Sequence, residues 1–461
     1  MGSRRYPGRR SWQLTAVVGV AGALALAGCG GSSGSSGSSS STAGGGATQS
    51  ATGSATSGSI VWSASPLTGT GANDARTVLI NAFEKQYPGI KVTLVSAPTD
   101  TDTNRATLAT EISGGSSTPD VFMGDVIWPA QFGAHQLAVP LSKYLPSSYF
   151  SKFAPGLVQG ATYKGQVYGS PLFEDQGFLY YRKDLLAKDH MSVPQTWEQL
   201  ESDSVKLVKD GLVKYGFVWE GDSYEGLTCN FMEYLTDAGG APTNSSYTQA
   251  TLNSAAATKA VTFMRSLITS GASPAAVTTF QEPQAMNTFG GGSAAFLRNW
   301  DYAYSAATTP SSGGKLTPSQ VGVAPLPTFA GQSYPGYSNI GGWNMYINPH
   351  SKNINADLTF IKWLSTPAAQ DILSKRYGFI STVTAVRSDP TVIGSNPVFA
   401  VVPKTKLAPR PAGTPDYPAL STAIYQNVNG ALAGSASPSA ATSAMQSAAS
   451  SALSSSSSGG L

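Results

Sequence analysis

Trp300-Asp301-Tyr302, Gly341-Gly342-Trp343 and Asp125 with Trp128 set aromatic faces beside carboxylates or bare backbone. Further acidic residues, Asp175, Glu225 and Glu282, stand in largely uncharged runs, and Arg410 is held between Pro409 and Pro411. An indole is a large, rigid platform for the apolar face of a ring, and a carboxylate can engage two adjacent hydroxyls. Glycines let a ligand come close to the backbone, and a guanidinium fixed by flanking prolines can donate to several oxygens at once. This chemistry suits capture of a hydroxyl-bearing molecule; the alternatives are a solute of another kind held in the same way or, less readily, a glycoside-acting enzyme built on two carboxylates. The one Gly-x-Ser-x-Gly match, Gly30 to Gly34, lies in a Gly/Ser run with no strand or helix for a nucleophile elbow. No phosphate-cradling P-loop occurs, and His135, His190 and His350 are too scattered for a HExxH zinc motif. No catalysis, metal or cofactor is expected.

Those residues need a scaffold. Ser59–Trp62 reads as a strand, and the apolar spacing of Val78, Leu79, Ala82 and Phe83 predicts a helix over 74–86, stopped by Tyr87-Pro88-Gly89. Ile90–Val95 alternates as a second strand, which makes a βαβ unit and a parallel sheet. Pro119–Met123 reads as the next strand, with Asp125 at its C-terminal end, the edge where open α/β sheets bind ligands. Thr196 caps a helix, with Gln199 three residues on as its capping-box partner.

The two ends of the chain differ from the body. Arg4, Arg5, Arg9 and Arg10 precede an apolar run, Leu14–Ala27, too short to be a stable membrane span, and then Leu26-Ala27-Gly28-Cys29. This is a signal peptide over 1–28, and its end resembles the bacterial lipobox, which implies lipidation of Cys29. Arg9-Arg10-Ser11-Trp12 also resembles a twin-arginine signal, so the export route stays open. Residues 29–58 are expected to be the lipidated cysteine and a flexible Gly/Ser linker, and a Ser/Gly tail is expected from about Ser451, with 455–461 disordered. Cys229 is left unpaired. Without the four leading arginines, 29 Lys and Arg become 25, against 26 Asp and Glu, so the body is near neutral. Such a balance excludes the electrostatic footprint of a nucleic-acid binder. Charged residues are 12% and aromatics 10%, which suits a neutral ligand.

"VYGSPLFEDQGFLYYRKDLL", "PQTWEQL", "GGGSAAFLRNWDYA", "VGVAPLPTFAGQ", "NIGGWNMYINPHSKN" and "ADLTFIKWLSTPAAQ" follow one another in the body. In this order, over about 59–454, the chain resembles the extracellular solute-binding proteins of carbohydrate ABC importers, of the maltose- and trehalose-type. The resemblance implies an α/β, two-lobe periplasmic-binding-protein-like fold of type II, with the ligand cleft between lobes. It implies a first lobe of 59–169 and 324–366 and a second of 170–323 and 367–454, with crossings near Ser170 and Ala324. The last helices are expected to pack back on the second lobe.

The resemblance further implies a sugar ligand, trehalose or maltose among disaccharides, and ABC transporter permease subunits as partners. A monomer on the extracellular face of the cytoplasmic membrane, held there by the lipid, is expected. It places Trp300 as a stacking platform, Asp125 and Asp175 as hydroxyl-binding carboxylates, Glu282 and Glu225 as further acidic contacts, and Gly341, Gly342, Trp343 and Arg410 at the cleft. Plainer roles compete: core packing for the tryptophans, helix capping for Asp125, helix-start charges for Glu225 and Glu282, and an interlobe ion pair for Arg410. Glu174 is the neighbouring alternative to Asp175. One departure stands out: Ser63–Gly69 carries no Asp, Glu or Lys, where many members of the family place a charged ligand residue.

Overall fold

A computed structural model describes residues 51–457. The signal segment, Cys29 and residues 30–50 lie outside the described residues. No described helix is long and apolar enough to cross a membrane.

The expected βαβ unit is present. Strand Gly58–Ala64 pairs in parallel with Ile90–Ser96, and helix Ala75–Gln86 connects them. Asp74 starts that helix by accepting the Arg76 N–H, and Leu79, Ile80 and Phe83 are buried on one face. Gly58–Ala64 also pairs in parallel with Val121–Asp125, which puts Asp125 at the last position of its strand. Thr196 caps helix Trp197–Lys209 through the Gln199 N–H at 3.1 Å. The Gln199 side chain, however, accepts from the Gln195 N–H, one residue short of the reciprocal bond expected.

Two long strands join the lobes. Ser170–Arg182 begins at the expected crossing; its first half pairs with Tyr337–Ile347 and its second with Ala294–Trp300 and Val321–Ala324. Tyr337–Ile347 pairs on its other side with Val121–Asp125. One sheet thus runs from the first lobe, Ile90–Ser96, to the second, Tyr215–Val218.

Several expected boundaries are corrected. The chain does not return at Ala324: Val321–Ala324 pairs with Leu179–Arg182, and Leu326 and Phe329 are buried in the second lobe's core. Phe329 packs there on Phe263, with ring centres 5.4 Å apart, so the return waits for Tyr337–Ile347. The second lobe does not resume at 367. Gln370 Nε2 donates to Leu172 O at 2.9 Å, the Tyr377 hydroxyl to Asn73 O at 2.7 Å, and Thr384 N to Lys152 O at 3.0 Å. These bonds hold 370–384 on the first lobe, and Asn396 then bonds Ser305 of the second. The flexible linker does not extend to 58, because Asn355 Oδ1 accepts from the backbone of Thr52, Gly53 and Ser54. Nor does a tail begin at 451: helix Pro438–Ser457 continues, since Ala441, Met445, Ala449 and Leu453 recur every four residues and are buried on the second core. As expected, this helix and Tyr417–Leu432 pack on that lobe.

Candidate functional site

A cavity of about 410 Å³ lies between the lobes, where the two crossing strands meet. Its lining includes Asp125, Asp175, Glu225, Glu282, Trp300, Gly341, Gly342, Trp343 and Arg410, every residue expected from the sequence to hold ligand. Glu174 is turned away, accepting from Gln176 Nε2 at 2.7 Å and ion-paired with Arg387.

Strand register explains the convergence. On Tyr337–Ile347, Gly341 lies opposite Asp175, while Trp343 lies opposite Phe173 on one side and Asp125 on the other. Gly177 of the crossing strand lies opposite Trp300. The glycines serve neighbouring groups as well as the cavity. A Cβ on Gly341 would stand 3.0 Å from Trp300 Cζ3 and 3.2 Å from Asp175 Cβ. Gly342 has φ +126°, and a Cβ there would meet Phe173 O at 2.6 Å.

Trp300 is 7% exposed, so its ring is buried on one side while it lines the cavity. Behind it the Arg298 guanidinium lies 4.1 Å from the ring centre, a cation–π contact. Arg298 is fixed by Glu220 at 2.9 Å and by both oxygens of Glu233, at 2.5 and 2.9 Å. Trp343 stands edge-on to Trp128, with ring centres 6.5 Å apart.

Arg410 is buried and joins the lobes. It donates to Asp125 Oδ1 and to Glu225 Oε1, both at 2.8 Å. Glu225 opens helix Glu225–Asp237 of the second lobe and also accepts from Tyr417 at 2.5 Å and Ser421 at 2.6 Å. Burial pushes the Glu225 carboxyl up more strongly than the Arg410 charge pulls it down. The interlobe ion pair weighed against a ligand role for Arg410 is therefore present, and the same guanidinium still lines the cavity. Asp125 likewise takes a local bond, from the Ile127 N–H at 3.2 Å. Glu282 stands at the first turn of helix Glu282–Gly290. Burial pushes its carboxyl up, while its own backbone N–H and the Tyr224 hydroxyl pull it down.

Sequence reasoning missed Met123, Phe173 and Phe379, which add apolar wall, and Ser65 and Thr68 of the first-lobe loop. Met123 and Phe173 stand two residues before Asp125 and Asp175 on strands, hence on the same face, a signal that alternation could have supplied. Phe379 arrives from a segment with no local signature. The uncharged loop Ser65–Thr70 lines the cavity despite its lack of charge.

The sequence profile of the bacterial extracellular solute-binding proteins matches residues 69–371. A probable ABC transporter-binding protein of Deinococcus radiodurans is 33% identical over 316 residues, covering 68% of this chain and 73% of that protein. The maltose-bound structure of MalE3 from T. maritima superposes with a TM-score of 0.77 at 31% identity, over 85% of this chain and 98% of that one. A solute-binding protein of Thermotoga lettingae TMO bound with α-D-tagatose shares the fold, with a TM-score of 0.76 at 22% identity over 86% and 100% of the two chains. Two lobes joined by crossing strands around a shared cavity, together with these likenesses, establish that the chain belongs to the bacterial extracellular solute-binding protein family.

Proposed function

We propose that the protein binds a neutral sugar, with maltose and trehalose the first choices, and delivers it to the permease of an ABC transporter. The observation that carries this reading is the 410 Å³ cavity, where Trp300 and Trp343 stand among Asp125, Asp175, Glu225 and Glu282. Its volume falls within the range of small-molecule sites, about 300–1,000 Å³. Arg410 pairs with both Asp125 and Glu225, and the Tyr417 and Ser421 hydroxyls further satisfy Glu225, so neither carboxylate is left without a partner of the protein's own. The first-lobe loop adds Thr68, whose buried hydroxyl has no partner among the described residues, while the Ser65 hydroxyl is held by Pro98 O at 2.6 Å. Ligand touching both lobes favours their closed arrangement, and that form docks on the permease. The protein carries out no chemistry on its cargo. Cleavage before Cys29 and its lipidation hold the body, as a monomer, at the extracellular face of the membrane.

The test is thermal unfolding of the full chain against maltose, trehalose, mannitol, ribitol and tagatose, with amino acids and phosphate as controls. A ligand that binds only the folded state raises the melting temperature as its concentration passes its dissociation constant. A shift with maltose or trehalose supports the reading; a shift confined to an amino acid or phosphate overturns it.

A further inference from the structure

Beneath the cavity, two carboxyl groups face each other. Asp175 lines the cavity floor, and Asp301, which follows the strand carrying Trp300, is fully buried behind it. Asp301 Oδ2 accepts from the Ile380 N–H at 2.7 Å, which fixes the carboxyl and leaves Oδ1 free. Asp175 Oδ1 and Asp301 Oδ1 are both buried and neither has a hydrogen-bond partner among the described residues, and the two carboxyl groups are neighbours close enough to shift each other's protonation. Two ionised carboxylates would leave two buried oxygens unsatisfied and repelling each other. One proton between them satisfies both.

We propose that Asp301 keeps its proton and donates it in a hydrogen bond to Asp175 Oδ1, making Asp301 a positioning residue for the carboxylate that receives ligand hydroxyls. The assignment rests on the sugar-binding reading only for the ligand, not for the proton. Asp301 is the deeper of the two, and burial favours the neutral acid. Its carboxyl is pushed well up, first by burial and then by the Asp175 charge. Asp175 is pushed up to about 7, first by burial, against the hydrogen bond from Asp301 that lowers it. Asp125, Glu174 and Glu282 face Asp175, and Tyr180 and Tyr302 face Asp301. Asp125 and Glu174 are themselves paired with Arg410 and Arg387. Arg298 lies on the far side of Trp300. With Asp301 protonated, Asp175 ionises as pH rises through about 7, and a charge-assisted bond to a ligand hydroxyl strengthens with it.

D301N and D301A in the full chain test this, with maltose as the probe. An asparagine carboxamide can accept the Ile380 N–H and donate to Asp175, as protonated Asp301 does. D301N is expected to keep the wild-type rise of maltose affinity with pH. D301A is expected to lose affinity on the order of tenfold, as for a lost buried hydrogen bond, and to move that rise to higher pH. Infrared spectra provide the ligand-free arm. At about pH 8, well above the ordinary carboxylate range, the wild type should show a protonated-carboxyl band that D301N lacks. D301N behaving like D301A, or D301N and wild type showing the same carboxyl bands, overturns the proposal. If maltose binds none of the three proteins, the sugar reading is what fails, and the infrared difference alone decides the fate of the proton.

Discussion

Arg410 donates to Asp125 at 2.8 Å from a segment that is neither of the two crossing strands, and its other arm holds Glu225 of the opposite lobe at the same distance. All three side chains are buried. An ion bridge of this kind matters most for what its loss leaves behind. R410A strands two carboxylates in the interior and is expected to cost about 3–5 kcal/mol of stability. The triple variant R410A/D125N/E225Q, which carries none of the three charges, is expected to recover most of it. Urea unfolding of both variants measures the difference. A triple variant no more stable than R410A would show that packing of the arginine, not its charge, is what counts.

Gly341 and Trp300 share one space. G341A would press a methyl group within 3.0 Å of the indole and 3.2 Å of Asp175 Cβ. The indole cannot simply retreat, because its far face is backed by Arg298. The expected cost is about 1–3 kcal/mol in stability from overpacking. Maltose affinity is expected to fall about tenfold, equivalent to ~1.4 kcal/mol. W300A, which removes the platform itself, is expected to cost at least ~2 kcal/mol of binding, as central aromatic anchors do. Calorimetric titration checks both. Unchanged maltose affinity in W300A would leave Trp300 as core only.

Leu453 tests the reassigned C-terminus. It is 6% exposed and ends the buried row that starts at Ala441. L453A is expected to destabilise the protein by about 2 kcal/mol, the low end for a buried leucine at a helix end. Exposed Ser451→Ala should change stability by no more than about 0.5 kcal/mol. Both should leave maltose affinity untouched, and chemical denaturation with parallel titration separates the two effects. L453A as stable as wild type would return this segment to the tail that its composition suggested.

Much of this molecule was legible in the order of its residues, and the reasons are local. The first βαβ unit declares itself by periodicity, and the cavity residues by pairing aromatic and acidic side chains with strand ends and glycines. What was not legible depends on contacts made far along the chain. The Ser-rich chain from Ser451 looks like a tail until Leu453 continues the buried row of Ala441, Met445 and Ala449 on the second core. Pro325–Phe329 resembles a crossing until Phe329 packs on Phe263. Residues 52–54 look like linker because the group that fixes them, Asn355, lies some 300 positions away. The proton-sharing partner of Asp175 was in view beside Trp300, but only the Ile380 amide, brought from another segment, reveals which oxygen Asp301 turns to it.

Asp357 extends the same electrostatics to stability. Burial pushes its carboxyl up to about 7, against the Ser351 hydroxyl that bonds Oδ2 at 2.6 Å; Oδ1 has no partner. Asp237 is likewise pushed up to about 7, first by burial, against bonds from Trp197 Nε1 and the Tyr337 N–H. The unfolded chain releases these protons near the ordinary aspartate value of about 3.9, so between there and about 7 the folded form binds more protons than the unfolded. Their contribution to stability is therefore fully present below about pH 4 and is lost as pH rises through about 7. The melting temperature is expected to fall between about pH 5 and pH 8, with the steepest loss below about pH 7. In D357N an amide replaces the unpartnered oxygen and cannot titrate, while its carbonyl can still accept from Ser351. Thermal melts across this range should show a shallower fall for D357N than for wild type. Equal slopes would mean that Asp357 is ionised in the folded protein across the whole interval and that other groups carry the pH dependence.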